Sequence, residues 1–154
     1  MKLGFLSKIF EGALSIEKTY NACDKAINQL RERNEKIKQM EENGEDTNNL
    51  PEAEKSALDE VVNNAIAKAT LLLSKESERN WPGVFREMHR NLGTIYLEQH
   101  EYDKAREKCE LLKKYGEVGR LDSEDLLQRV EDRESGKSDA AGADAQSDIP
   151  ATER

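Results

Sequence analysis

Hydrophobic residues recur every three or four positions along most of this chain, which is the spacing of one face of an α-helix. The longest such run covers residues 5–41 and predicts a single long helix. Asn34 interrupts its hydrophobic seam. A buried Asn can fix the register of a coiled coil, and the alternative is that the seam reaches solvent at this position. The seam comprises Leu6, Ile9, Ala13, Ile16, Tyr20, Cys23, Ile27, Leu30 and Ile37.

Residues 52–75 have a second amphipathic pattern with many small residues, and they predict a second helix. The intervening residues, 42–51, contain turn formers and acidic residues, and Pro51 suits the first turn of a helix. Because this loop is short, the two helices are predicted to form an antiparallel hairpin.

Two shorter helices are predicted next. A helix of residues 82–99 is favoured because its first residue is proline, with Asn80 or Trp81 as the capping residue. The following helix covers residues 102–115 and ends near Gly116, since glycine is common immediately after a helix. The two form a helix pair at residues 82–116.

A last helix is predicted at residues 122–134, with Asp122 or Ser123 as its N-cap. Residues 135–154 contain one Ile and no aromatic residue, so we expect a disordered tail that buries too little apolar surface to fold. The pattern therefore predicts an all-α fold. It consists of one helical domain, residues 1–134, in which a long hairpin is followed by a helix pair and a C-terminal capping helix.

Composition agrees with this class and limits the functions. Hydrophobic and charged residues each make up 36% of the 154 residues, so helices with one apolar stripe are favoured over a thick core. The net charge of -8 disfavours binding to the phosphate backbone of nucleic acids. Cys23 and Cys109 form no CxxC pair, which is typical of free thiols in a reducing compartment, and we expect a cytoplasmic protein.

Residues 86–119 have the spacing of two closely packed helices. Gly93 allows a second helix to approach, and Ala105 is the small residue on the facing helix that accepts this approach. The segment resembles a tetratricopeptide (TPR) repeat, a helix–turn–helix of about 34 residues with Leu-Gly, Tyr and Ala at these positions. The residues that match the pattern are Leu92, Gly93, Tyr96, Tyr102 and Ala105.

The segment departs from the family pattern at three positions. His89 stands where the family prefers Trp, Cys109 where it prefers a large aromatic residue, and Glu117 where it prefers Pro. One repeat cannot bury both of its faces. We therefore expect the hairpin of residues 5–75 to pack on its N-terminal side and the helix of residues 122–134 to cover its C-terminal side.

The resemblance implies a non-enzymatic protein–protein interaction module, an adaptor or scaffold that holds a peptide or helix of another protein in a groove. The first helix of each TPR pair lines this groove. Arg90 and Asn91 suit the binding of a partner carboxylate, since Arg offers a planar fork of donors. The groove positions that the resemblance assigns are Glu87, Arg90, Asn91, Thr94, Leu97 and Glu98.

The alternative is a self-assembling coiled-coil protein, a homodimer in which the seam of residues 5–41 pairs with a second copy. The N-terminal segment also suggests contact with a membrane surface, because an apolar patch lies beside Lys2 and Lys8. The competing interpretation is that this patch begins the hairpin core. The patch consists of Leu3, Phe5, Leu6, Ile9 and Phe10.

Motifs for catalysis or cofactor binding are missing from the sequence. It contains no GxSxG, Walker loop or GxGxxG. His89 and His100 are eleven positions apart, which is not a metal-ligand spacing. We therefore expect neither enzymatic activity nor a bound metal or cofactor.

Overall fold

The computed structural model describes the backbone of residues 2–136 and the side chains of residues 12–136. These residues form five α-helices and a short 3-10 helix, and the described chain has no strand, so the predicted all-α class is confirmed. The N-terminal apolar patch and almost all of the tail, residues 137–154, lie outside the described side chains. The helices are α1 (Lys2–Glu42), α2 (Glu52–Lys75), α3 (Pro82–Glu98), α4 (Tyr102–Leu112) and α5 (Gly116–Glu134), with the 3-10 helix at Thr47–Asn49.

Helices α1 and α2 pack together along their length, as the hydrophobic periodicity predicts. Their bounds agree closely with the predicted residues 5–41 and 52–75. Ala65 and Ala69 of α2 are fully buried, and such small side chains allow the two helix backbones to approach closely. The seam of α1 contributes Ile16, Cys23, Ala26, Ile27 and Leu30 to the same core.

Helix α3 packs against α1 and runs parallel to it. The Tyr20 hydroxyl lies beside the Glu87 carboxylate near the start of α3, and this neighbour helps burial to raise the Tyr20 pKa. Eleven positions further along both helices, Arg31 lies beside Glu98 at the end of α3. Contacts that advance together along both helices require the same chain direction.

Helix α5 runs parallel to α3 on its other side. Arg86 contacts Asp122, which is 36 positions away, and Glu98 contacts Arg133, which is 35 positions away. Helix α2 packs on α1 and α3, whereas α4 packs on α3 and α5. The fold is therefore a layer of three parallel helices, α1, α3 and α5, with α2 and α4 behind it.

Helix α3 contributes to two hydrophobic cores. Phe85, Met88, Leu92 and Ile95 belong to the core shared with α1 and α2. Leu97 belongs to a second core with residues of α4 and α5. The partly buried ring of Tyr96 packs against both cores. Because other helices pack on α3 from two sides, most of its surface is in contact with them.

The start of α3 agrees with the prediction from proline. Pro82 is the first helical residue, and Trp81 is the N-cap, although its side chain makes no capping hydrogen bond. The Trp81 ring is partly buried against the first core. Trp81 is therefore a packing residue at the corner between α2 and α3.

The start of α5 differs from the prediction. The helix begins at Gly116, six residues before the predicted start at Asp122. Gly116 has a φ of 70°, a conformation that glycine adopts without strain, so the chain reverses here without a longer linker. Asp122 and Ser123 are not capping residues. Asp122 binds Arg86, and the Ser123 hydroxyl donates to the Cys109 carbonyl at 2.7 Å.

None of the helices in the described part of the chain is both long enough and apolar enough to span a membrane.

The approach of α4 and α5 to Gly93 gives a test of the packing. A Cβ atom at Gly93 would lie 2.5 Å from Leu126 Cδ2 and 3.1 Å from Lys108 Cβ. We expect Gly93→Ala to lower the free energy of unfolding by roughly 1–3 kcal/mol through overpacking. Gly83→Ala is the control, because a Cβ atom at Gly83 meets nothing within 4 Å.

The control should stabilise the same helix by roughly 0.5 kcal/mol, since alanine is the better helix former. Urea unfolding followed by circular dichroism measures both changes. Equal effects of the two substitutions would contradict the close packing at Gly93.

Candidate functional site

We define the front face as the surface of α1, α3 and α5 that lies away from α2 and α4. Arg90 and Thr94 of α3 lie on it between the two neighbouring helices, and the Arg90 side chain is 50% exposed. Glu87 and Asn91 lie at its border with α1 and are partly exposed. These four of the six predicted groove residues are therefore together on one surface.

Leu97 and Glu98, the other two predicted groove residues, are buried. Leu97 is fully buried in the core with α4 and α5, and the Glu98 side chain is only 1% exposed. The resemblance assigns these positions by their spacing on one helix, but α5 covers them in this fold. They are internal residues, and we exclude them from the binding surface.

Glu98 lies where α1, α3 and α5 meet. Its two carboxylate oxygens accept hydrogen bonds from the two terminal nitrogens of Arg133 on α5, both at 3.2 Å. Asn34 of α1 donates from Nδ2 to Glu98 Oε1 at 3.0 Å and to the Glu98 backbone carbonyl at 2.9 Å. Arg31, one turn earlier on α1, donates from Nε to Oε2 at 3.4 Å.

The charge of Glu98 is stabilised by these partners. Burial alone raises the pKa of the Glu98 carboxyl, but hydrogen bonds and charge from Arg133, Asn34 and Arg31 lower it to below its ordinary value. A buried carboxylate with a bidentate arginine and two further donors is well compensated for its lost hydration. Glu98 therefore joins the three parallel helices through polar contacts.

The break in the α1 seam at Asn34 now has a specific cause. Asn34 neither fixes the register of a coiled coil nor simply faces solvent, because its amide binds Glu98. Sequence reasoning did not assign Arg31, Asn34 or Arg133 to any site. The polar interruption at Asn34 was the one signal for this cluster.

A second polar cluster joins α3 and α5 nearer the start of α3. Arg86 binds Asp122 at 2.5 Å, and Arg90 Nε lies 3.9 Å from the other oxygen of Asp122. Arg86 also lies 3.6 Å from Glu87. The Asp122 side chain is only 15% exposed and pairs most closely with Arg86, whereas the Arg90 side chain stays half exposed.

Arg129 of α5 lies seven positions after Asp122 and four before Arg133, on the side of the helix that faces α3. Its side chain is 17% exposed. Asp125 Oδ2 lies 3.3 Å from Arg129 Nε. The Nε and Nη2 atoms are nevertheless buried without a hydrogen-bond acceptor among the described residues, because the geometry to Asp125 is unsuitable.

The buried histidine and cysteines are on the other side of the layer. Burial, together with the nearby Lys108 and Lys114, lowers the pKa of His89 to about 4. Burial raises the pKa of both Cys23 and Cys109 to about 11, so neither thiol ionises near neutral pH. Within the described residues, no group of three His, Cys, Asp or Glu side chains is arranged to hold a metal ion.

Comparisons with known protein families, with curated proteins and with solved structures found no match to this chain.

The contacts of Glu98 predict how much stability the protein loses when the Glu98 charge is removed. Glu98→Gln keeps the side-chain shape but leaves Arg133 without its bidentate carboxylate. We expect the free energy of unfolding to fall by roughly 3 kcal/mol, as for other buried pairs that lose one partner. Glu101→Gln is the matched control, since Glu101 forms an exposed pair with Lys104.

The control should change the free energy of unfolding by less than about 0.5 kcal/mol. Thermal and urea unfolding measure both variants. A loss of less than 0.5 kcal/mol for Glu98→Gln would contradict the assigned contribution of this cluster.

The lowered pKa of His89 makes the stability of the protein depend on pH. Its pKa is about 4 in the fold, against about 6.5 in an unfolded chain. Between these values the unfolded chain binds more protons, so stability falls as the pH falls from about 6.5 towards 4. His89→Gln removes this titration, and it should reduce the stability lost between pH 7 and pH 5 by roughly 1–2 kcal/mol. Identical pH profiles for the variant and the wild type would contradict a buried, neutral His89.

Proposed function

We propose that this protein is a non-enzymatic interaction module that binds a peptide or helix of a partner protein on its front face. The observation that supports this proposal is the parallel layer of α1, α3 and α5. Three helices in one direction form a continuous surface, and side chains from each of them project from the side that α2 and α4 leave open.

The register of the helices supports the likeness to a TPR array. Contacts between α3 and α5 join residues 35 and 36 positions apart, which is close to the repeat length of about 34 residues. Contacts between α1 and α3 span 67 positions, or about two repeats, because α1 and α2 are both long helices. Alternate helices that are parallel and stacked side by side are typical of solenoid proteins.

The chemistry of the front face also suits a peptide or helix. Arg90 and Thr94 lie at its centre, and Arg31 of α1 is 47% exposed at its edge. Val118 is 54% exposed at the start of α5 and lies one turn before Asp122 on the same side of the helix. An exposed apolar side chain on the same surface as ion-paired arginines provides both an anchor and orienting polar contacts.

Self-assembly through the α1 seam is less well supported. Ile16, Cys23, Ile27 and Leu30 of this seam are buried against α2 and α3 within one chain. A second copy could reach these residues only if the hairpin opened. We therefore prefer the interaction module to the coiled-coil homodimer.

A capture experiment with matched variants tests the proposal. The front-face variant carries Arg90→Glu and Thr94→Arg. The control carries the same two substitutions elsewhere, Arg120→Glu on α5 and Thr70→Arg on α2, where both residues are exposed. Wild type and both variants, each shown by circular dichroism to remain helical, are used to capture proteins from native lysate for mass spectrometry.

We expect at least one protein to be captured equally by wild type and control but reduced at least tenfold with the front-face variant. Identical protein lists from all three baits would contradict binding at the front face.

A further inference from the structure

Helix α1 extends beyond the end of α2, the helix that packs along it. Helix α2 ends at Lys75, and the next residue, Glu76, lies against the start of α1. A Cβ atom at Gly12 would lie 3.5 Å from Oε1 of Glu76. Gly12 is therefore level with the end of α2, and residues 2–11 of α1 precede this level. At a rise of about 1.5 Å per residue, they add about 15 Å of helix.

Helix α3, the other neighbour of α1, also begins after this projecting segment. Glu87 of α3 lies beside Tyr20 of α1, and the two helices run in the same direction. Since α3 begins at Pro82, five positions before Glu87, it starts near position 15 of α1. Neither α2 nor α3 therefore runs beside residues 2–11. The bounds of these helices do not support the interpretation that this segment begins the hairpin core.

The sequence of the projecting segment is amphipathic and basic. Helical spacing places its large apolar residues within one broad side of the helix. The segment contains Lys2 and Lys8 and has no acidic residue before Glu11, although the whole chain has a net charge of -8. The apolar residues are Leu3, Phe5, Leu6, Ile9 and Phe10. Such a segment suits a surface that is both apolar and acidic.

Exposed apolar side chains in the described part of the chain lie at the same end of the molecule. Leu14 is 40% exposed, and helical spacing places it on the same face of α1 as positions 3 and 10. Helices α2 and α4 end where α3 and α5 begin, because only short linkers join them. The other exposed large apolar residues among residues 12–136 are therefore also at this end, namely Leu71 on α2, Leu111 on α4, and Val118 and Leu121 on α5.

We propose that the first turns of α1 bind the surface of an anionic lipid membrane. An amphipathic helix lies along such a surface, with its apolar residues between the lipid headgroups and its lysines beside the acidic groups. The exposure of Leu14 shows that one face of α1 stays open where the projecting segment joins the bundle. The helix can therefore meet a membrane without separating from α2 or α3.

Charge favours lipid over a second copy of the chain as the partner of this segment. Two copies joined through residues 2–11 would bring Lys2 and Lys8 of both chains together. The remainders of the two chains, each with a negative net charge, would also repel each other. An anionic membrane instead supplies an apolar layer and acidic headgroups at one surface. Because only two lysines contribute, binding is reversible and weakens with salt.

Vesicle flotation with the full-length chain tests this inference. At about 100 mM NaCl, the wild type should float with phosphatidylcholine vesicles that contain about 30% phosphatidylserine. Phe5→Ser combined with Phe10→Ser should lower the ratio of bound to free protein by roughly tenfold, because apolar area is lost. Lys2→Glu combined with Lys8→Glu should lower it by roughly tenfold, because the attraction to acidic headgroups becomes repulsion.

The charge-matched control is Lys25→Glu combined with Lys38→Glu. Both lysines are exposed and lie further along α1, within the hairpin. This variant has the same net charge as the Lys2 and Lys8 variant, and it should change the ratio by less than about threefold. Circular dichroism should show the same helix content for the control and for both projecting-segment variants, because residues 2–11 lie beyond the hairpin.

Failure of the wild type to float would overturn the inference, and so would an equal loss of binding in the lysine control. Sedimentation equilibrium without lipid tests the second copy as the partner. A wild-type dimer that Phe5→Ser with Phe10→Ser converts to a monomer, together with no flotation, would assign the segment to self-association instead.

Discussion

The contact of Glu98 with Arg133, Asn34 and Arg31 is the interaction on which the arrangement of the helices depends. Hydrophobic packing alone gives two cores, one among α1, α2 and α3 and another among α3, α4 and α5. Apolar contacts are not directional, so they limit the helix register only loosely. The Glu98 carboxylate requires donors from α1 and α5 at defined distances, and these fix both helices relative to α3.

This constraint also forms the surface that we consider functional. Because the Glu98 contacts hold α1 and α5 on either side of one end of α3, the three parallel helices present a continuous surface. The arginines that compensate Glu98 and Asp122 lie along the borders of α3 with α1 and α5.

The sequence predicts the hairpin to within a few residues, because its periodicity is long and Pro51 and Pro82 mark the helix starts. It does not predict the start of α5. A cap at Asp122 implied a linker before this helix, but the chain turns at Gly116 and the helix begins there. It also places Glu98 on the surface, because helical spacing on α3 does not reveal how far α5 extends over it. Contacts over 35 or 67 positions, such as those of Arg133 and Arg31, depend on tertiary packing that local patterns do not encode.

The most direct test is a double-mutant cycle between α1 and α5. Asn34→Ala removes the Nδ2 donor and Arg133→Met removes both guanidinium donors to the Glu98 carboxylate, and the two residues belong to different helices. If both act through the same carboxylate, their effects on the free energy of unfolding should differ from additivity by about 1 kcal/mol or more. Additivity to within about 0.5 kcal/mol would contradict the claim that Glu98 joins the two helices.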